Sequence, residues 1–341
     1  MPQPSQIRAF RLTRIAETGA LFSRFDPYVA SVNDAGLVAF QASLAAGGSG
    51  AFTGNGGPAS GADAADAGLV GVYSHPDVNR GGDLCFYGTL KSGVQGAFLS
   101  RGNKLTAVAS TDGRFQAIGP LGPTMNDWGA IAFRGILASG AHGVFATEGE
   151  SVATIADTTG RFTAFHGLPV INAMGAIAFR ADRKGGVQGI YASRGGSIET
   201  VAETGEQFSE IAPFPALNDE GAVAFAATLR SGGSGIFAAT GGRIDTLVDD
   251  AGGLFESFRG ALINRRGLVA FFATPMGGQL GVFSGADPAA CRIIAVGDPL
   301  YGSAVAEFAL NPVSANEAAQ LAVRVSLVDG RQAVIRVDPV P

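Results

Sequence analysis

One nine-residue phrase recurs along this chain. It reads VNDAGLVAF at 32–40 and returns as VNRGGDLCF (78–86), MNDWGAIAF (125–133), INAMGAIAF (171–179), LNDEGAVAF (217–225) and INRRGLVAF (263–271). A degraded copy, ANEAAQLAV, stands at 315–323. The anchoring residues are Asn33, Asn79, Asn126, Asn172, Asn218, Asn264 and Asn316, with spacings of 46, 47, 46, 46, 46 and 52. A fixed period of this length marks a repeat architecture, in which each unit buries its apolar face against a neighbour.

Within one period the punctuation predicts four short strands. Asn-x-x-Gly is a tight turn, with glycine supplying the positive φ. In the strand that follows, GAIAFR, large Ile177 and Phe179 point one way and small Ala176 and Ala178 the other. A Gly-rich turn leads to a third strand (GIYAS), a Gly-Gly hairpin to a fourth (IETVAE), and a Thr-Gly turn to an apolar segment that returns to the next asparagine. Four strands in about 46 residues is the size of a propeller blade. Phe40, Phe133, Phe179, Phe225 and Phe271 are expected to pack over the alanine face of a neighbouring blade.

The ends of the chain predict a closed ring. LTRIAETGALFSRFDP (12–27) aligns without gaps on IETVAETGEQFSEIAP (198–213), so the chain opens on a fourth strand followed by a first. The other end stops after a third strand, AVIRVD (333–338). The N-terminal strand, 9–17, is therefore expected to complete blade seven and so protect the sheet edges. The expectation is one all-β domain over 1–341, a seven-bladed β-propeller. An open solenoid is the runner-up.

Composition agrees with this. Fifty-one glycines are about twice the usual share of roughly 7%, which disfavours long helices. With 46% hydrophobic residues, the chain is not a disordered one. A formal net charge of −5, without a basic stripe, argues against a nucleic-acid partner. No run reaches the 18 or so apolar residues of a membrane span. The opening MPQPSQIRAFRLTRIAETG lacks the apolar core of a signal peptide, so a cytoplasmic protein is expected unless a leader has been removed.

The repeated phrase resembles that of a family of bacterial proteins with tandem NxxGxVAF repeats, over Leu12 to Asp338. The resemblance implies exported or surface-associated propellers of mostly unassigned function, often with a separate anchor. Its motif is structural and transfers no catalytic residues.

Chemistry is expected where the repeat is broken, on loops and innermost strands. Eight residues after each asparagine stand Gln41, Tyr87, Arg134, Arg180, Ala226, Phe272 and Arg324. Arg134 and Arg180 share a sector with His142, His166, Asp157 and Glu203, a set suited to anion binding or acid–base work. The structural alternative pairs the arginines with Asp157, Glu203 or Asp182 to tie blades together, and it is preferred. His75 and His166 fall in predicted innermost strands as candidate channel ligands or bases, although hydrogen-bonded structural histidines are the commoner outcome. Arg114 and Arg161 precede core phenylalanines and are placed at the channel mouth.

Cys85 replaces an alanine of the packing face and reads as a small buried thiol, and Cys291 is too distant along the ring to pair with it. VDDAGG (248–253) and GADAADAG (61–68) lack the spacing of a calcium loop and read as turns. Residues 54–67, poor in strand formers, predict a frayed edge of blade one. No metal or cofactor is expected. The favoured function is a binding or scaffold propeller, a monomer, holding a small molecule, glycan or protein on its loop face. The alternative is a hydrolase, lyase or cyclase with His166 or His142 as base in the funnel near blades three and four. A protein-binding face would instead show aromatics such as Trp128, Tyr28, Tyr73 and Tyr301.

Overall fold

A computed structural model of the protein describes residues 9–63, 68–102, 104–264 and 266–340. The start of the chain through residue 8 and the centre of the acidic stretch at 61–68 lie outside the described residues. Seven antiparallel sheets follow one another around a ring, one per repeat. In blade four the strands are Phe162–Ile171, Ile177–Arg183, Val187–Arg194 and Ser197–Glu203, running from the axis outward.

Blade seven is assembled from both ends of the chain. Its first three strands are Ser303–Ala309, Leu321–Leu327 and Gln332–Pro339, and Phe10–Glu17 pairs with the last of these, from Phe10↔Pro339 to Glu17↔Ala333. Strand ends that would be open edges are thereby hydrogen-bonded. The outer edge of blade one departs from expectation. Ser60–Asp63 forms a short strand on Ser49–Gly54, with Thr53↔Ser60 and Gly50↔Asp63 in register. Ladder hydrogen bonds need only backbone. Gly61 even favours them here, because a Cβ at that position would stand 2.5 Å from the Ala51 carbonyl oxygen.

Packing between blades follows the large-and-small alternation. Phe133 shares a core cluster with Cys85, Ala97 and Ala109 of the preceding blade. Phe225 does the same with Ala178 and Ala202, and Phe271 with Ala224 and Ala226. The third strand and the start of the first add two more rings to each phenylalanine. In blade three Phe115 and Phe145 meet edge-on at 4.8 Å, and in blade five Phe208 and Phe237 meet at 4.9 Å. Burial of each ring is worth roughly 1.5–3 kcal/mol, and an edge-on pair about 0.5–1.5 kcal/mol more. Blade seven replaces this triad with Val305, Val323 and Ile335, packed on Ala270 and Val282. Cys85 and Cys291 are both buried.

The recurrent asparagine does more than make a turn. In Asn33, Oδ1 accepts the backbone N–H groups of Ala35 and Leu37, at 3.0 Å each, which fixes the hairpin. Its Nδ2 donates to the Asn79 carbonyl oxygen of the next blade at 2.8 Å. The same outward bond runs from Asn126 to Asn172, Asn172 to Asn218, Asn218 to Asn264, Asn264 to Asn316 and Asn316 to Asn33. Asn79 instead turns its Nδ2 back, to Asp83 at 3.1 Å, while Asn316 donates both to Asn33 and, within its own turn, to Gln320 Oε1 at 2.8 Å. Aspartate could supply the acceptor but not the donor, which is why asparagine holds the position.

Candidate ligand site in the axial channel

The innermost strands carry prolines: Pro27, Pro76, Pro120, Pro123, Pro169, Pro213, Pro215 and Pro312. Proline has no N–H for the ladder, and in blades one, two, three and five the inner strand is interrupted around them. Examples are the gaps between Val72 and Asp77 and between Ile118 and Thr124. These irregular stretches, four to six residues before the asparagines, surround a cavity of about 350 Å³ on the ring axis. Tyr28, His75, Leu121, Leu168, Phe214, Arg259 and Leu310 each bring one blade to its wall.

Most of that wall is apolar, which makes its polar members conspicuous. His75 is only 2% exposed, and its Nε2 has no hydrogen-bond partner. Burial pushes its pKa down to about 4, against the pull of the Pro123 and Leu121 carbonyls, so the imidazole is neutral at physiological pH. Gly122 lies against the ring, and a Cβ there would come within 2.4 Å of it. Half-buried Tyr28 has its pKa raised by burial and by Asp26.

Arg259 reaches the cavity through a backbone irregularity. The inner strand of blade six, Phe255–Ile263, pairs Phe258 with Ala273 and Gly260 with Phe272, leaving Arg259 as the extra residue of a bulge. Bulges re-aim side chains and are frequent beside binding sites. Arg259 is exposed and makes no ion pair or side-chain hydrogen bond among the described residues.

The opposite end of the channel, inside the asparagine ring, is polar, with a smaller cavity of about 140 Å³ bordered by Asp34, Asp77, Asp127 and Asp219. Arg80 bridges Asp34 and Asp127 at 3.0 and 3.4 Å. Asp77 is 5% exposed, and its carboxylate accepts the backbone N–H groups of Val78 and Met125, each at 2.8 Å. Burial outweighs those bonds and raises its pKa to about 7. Among the described residues no group of three His, Cys, Asp or Glu is arranged to hold a metal ion.

The residues singled out in the sequence are only partly brought together. His75 borders the axial cavity, in the gap of its inner strand rather than within it. Buried Arg180 donates to the Ile211 carbonyl of blade five at 3.2 Å and to Asp182 at 2.5 Å. His166 Nε2 lies 2.8 Å from Asp182 on the other carboxylate oxygen. Although burial opposes the charge, these bonds together hold Asp182 below the usual carboxylate range. Arg134 donates to the Gly167 carbonyl of blade four at 2.8 Å.

Glu203 pairs with Arg183 at 2.6 Å and accepts from Tyr191, while Asp157 caps its own turn through Thr159. Arg161 stacks over Phe162 and Tyr191, as Arg114 does over Phe115 and Phe145. His142 is exposed at the start of a third strand. None of these borders the axial cavity.

The four aromatics considered for a protein-binding face do not share one surface. Trp128 is 81% exposed on an Asn turn, Tyr28 lines the cavity, Tyr73 packs on Tyr87, and Tyr301 lies under Arg14.

Residues 53–334 match a sequence family described as a family of unknown function, DUF7453. The chain belongs to that family. No curated protein matches this DUF7453 sequence. Among solved structures, an oligogalacturonate lyase in complex with manganese superposes over 100% of the chain and 99% of its own, with a TM-score of 0.59 and 10% identity. The oligogalacturonate lyase of Vibrio parahaemolyticus covers 98% of each chain, with a TM-score of 0.57 and 10% identity. The acylaminoacyl peptidase of Pyrococcus horikoshii matches 92% of this chain with 52% of its own, at a TM-score of 0.54 and 15% identity. At such identities the likeness is one of fold.

Two features of this DUF7453 member escaped sequence reasoning. Five residues before the asparagines stand Tyr28, Ser74, Leu121, Gly167, Pro213, Arg259 and Asn311, and only Arg259 is charged. That single departure is the signal that could have found it. Asp77 was detectable in the same way, as the one acid two residues before an asparagine.

Proposed function

We propose that this protein is a binding propeller whose axial cavity, on the side away from the asparagine ring, holds a small organic molecule. The supporting observation is the cavity itself. It is lined by all seven blades, is mostly apolar, and carries a few polar groups, His75, Tyr28 and Arg259, at separate points of its wall. Ligand sites in proteins have this composition, with volumes of roughly 300–1,000 Å³.

The test is thermal unfolding against a panel of small acids, alcohols and sugars, repeated with Val29→Trp to fill the cavity. A ligand at about 100 times its dissociation constant adds roughly 2.7 kcal/mol of stability. Stabilisation that disappears in Val29→Trp supports the reading, and stabilisation that survives it places the ligand elsewhere.

Two other readings each rest on one observation. The His166–Asp182 pair favours an enzyme, but it does not border the cavity. Trp128 and Met174, both 81% exposed at the same turn position of adjacent blades, favour a protein partner on the opposite face.

A further inference from the structure

From the axial cavity we infer the class of its ligand, an organic anion with an apolar body, seated with its charged group at Arg259. The inference rests on the cavity being the binding site. Among the described residues the wall includes no Asp or Glu, and Arg259 is its one cation. His75 is uncharged near neutral pH, because burial lowers its pKa to about 4.

An exposed arginine is ordinary in itself. Arg259 differs because three independent features converge on it. It is the only charge at its offset in seven repeats. It occupies a second bulge in its inner strand, beyond the one after Phe255 that matches bulges in other blades. No acid neutralises it among the described residues, whereas Arg180, Arg183, Arg324 and Arg336 all pair with carboxylates.

A guanidinium offers a planar fork of donors that matches a carboxylate, sulfonate or phosphate. On the same wall Leu168, Phe214 and Phe272 offer surface to a hydrocarbon or aromatic body, and Tyr28 a hydroxyl. A cationic ligand would meet like charge there, and a sugar would leave most of its hydroxyls against apolar wall without partners.

Three naphthalene probes of one shape separate charge from shape: 2-naphthoate, 2-naphthol and 2-naphthylmethylamine, followed by probe fluorescence and calorimetry at pH 7.5. The expected result is that 2-naphthoate binds at least about tenfold more tightly than the other two. Arg259→Gln then weakens 2-naphthoate roughly 10- to 100-fold, as loss of a charge-assisted bond does, and leaves 2-naphthol unchanged. Arg259→Lys restores part of the loss. Because Arg259 is exposed, these variants should keep the wild-type unfolding temperature, which is measured alongside.

If 2-naphthol binds as well as 2-naphthoate, and Arg259→Gln affects neither, the ligand is not an anion while the cavity reading stands. If no probe binds the wild type, or all bind equally to Val29→Trp, the cavity reading falls and this inference with it.

Discussion

Asn316, in the last blade, donates its side-chain N–H to the backbone carbonyl oxygen of Asn33, in the first, at 2.8 Å. These residues are 283 positions apart in the chain, yet they make the bond that other blades make to their immediate successors. Ring closure therefore has a second fastening on the axis, besides the strand Phe10–Glu17 at the rim.

That bond can be weighed against its one exception. Asn316→Ala removes the outward donor, the bond to the Gln320 side chain and the acceptor for the Ala318 and Gln320 N–H groups, while the Asn33 carbonyl keeps only the Gly36 N–H. A loss of about 2–4 kcal/mol is expected in urea unfolding. Asn79→Ala should cost less, because Asn79 keeps its Nδ2 bond within its own turn. Equal losses would show that the blade-to-blade bond contributes nothing.

The degraded seventh copy carries a correctable strain. Where the other copies place glycine, at φ values such as 75° for Gly36 and 82° for Gly221, Ala319 adopts φ 61°. A left-handed alanine costs roughly 1–2 kcal/mol, partly offset by its lower freedom when unfolded. Ala319→Gly should therefore stabilise the protein by about 0.5–1 kcal/mol in chemical unfolding. A destabilised variant would mean that the turn is not strained.

His75 and Asp77 give stability opposite pH dependences. His75, with its pKa lowered to about 4, stays neutral in the folded protein while the unfolded chain takes up a proton near 6.5, so its contribution rises with pH between those values. Asp77, raised to about 7, keeps its proton when folded and loses it near 3.8 when unfolded, so its contribution falls with rising pH from 3.8 to 7. In the wild type the two slopes oppose each other between pH 4 and 6.5. Asp77→Asn should leave stability rising with pH over that window, and His75→Gln should leave it falling. Urea unfolding at half-unit pH steps measures both slopes, and parallel curves for all three proteins would refute the assignment.

The enzyme-like sector read from the sequence shows where such reading meets its limit. Arg134 and Arg180 stand at equivalent positions in adjacent blades, and both direct a guanidinium to a backbone carbonyl of the following blade. Gln41 reaches the Val72 carbonyl from the same offset in blade one. Offset alone could establish that these side chains do equivalent work, but not that they do it between blades rather than at the channel.

The sequence by itself determined the ring. A 46-residue period, the alternation of phenylalanine with alanine and the displaced fourth strand at the N-terminus leave few other ways to bury these residues, because each is a local pattern repeated until it closes. Tertiary structure decided what faces the axis. The cavity arises from seven inner segments, several of them interrupted at prolines, meeting across the ring, and neither their depth nor the aim of a bulged Arg259 is encoded within one repeat. An isolated His75 becomes a buried, neutral imidazole only when the chain around Gly122 covers it, and a carboxylic acid at Asp77 gains a raised pKa only when the channel excludes water. Burial and long-range convergence are properties of the assembled ring.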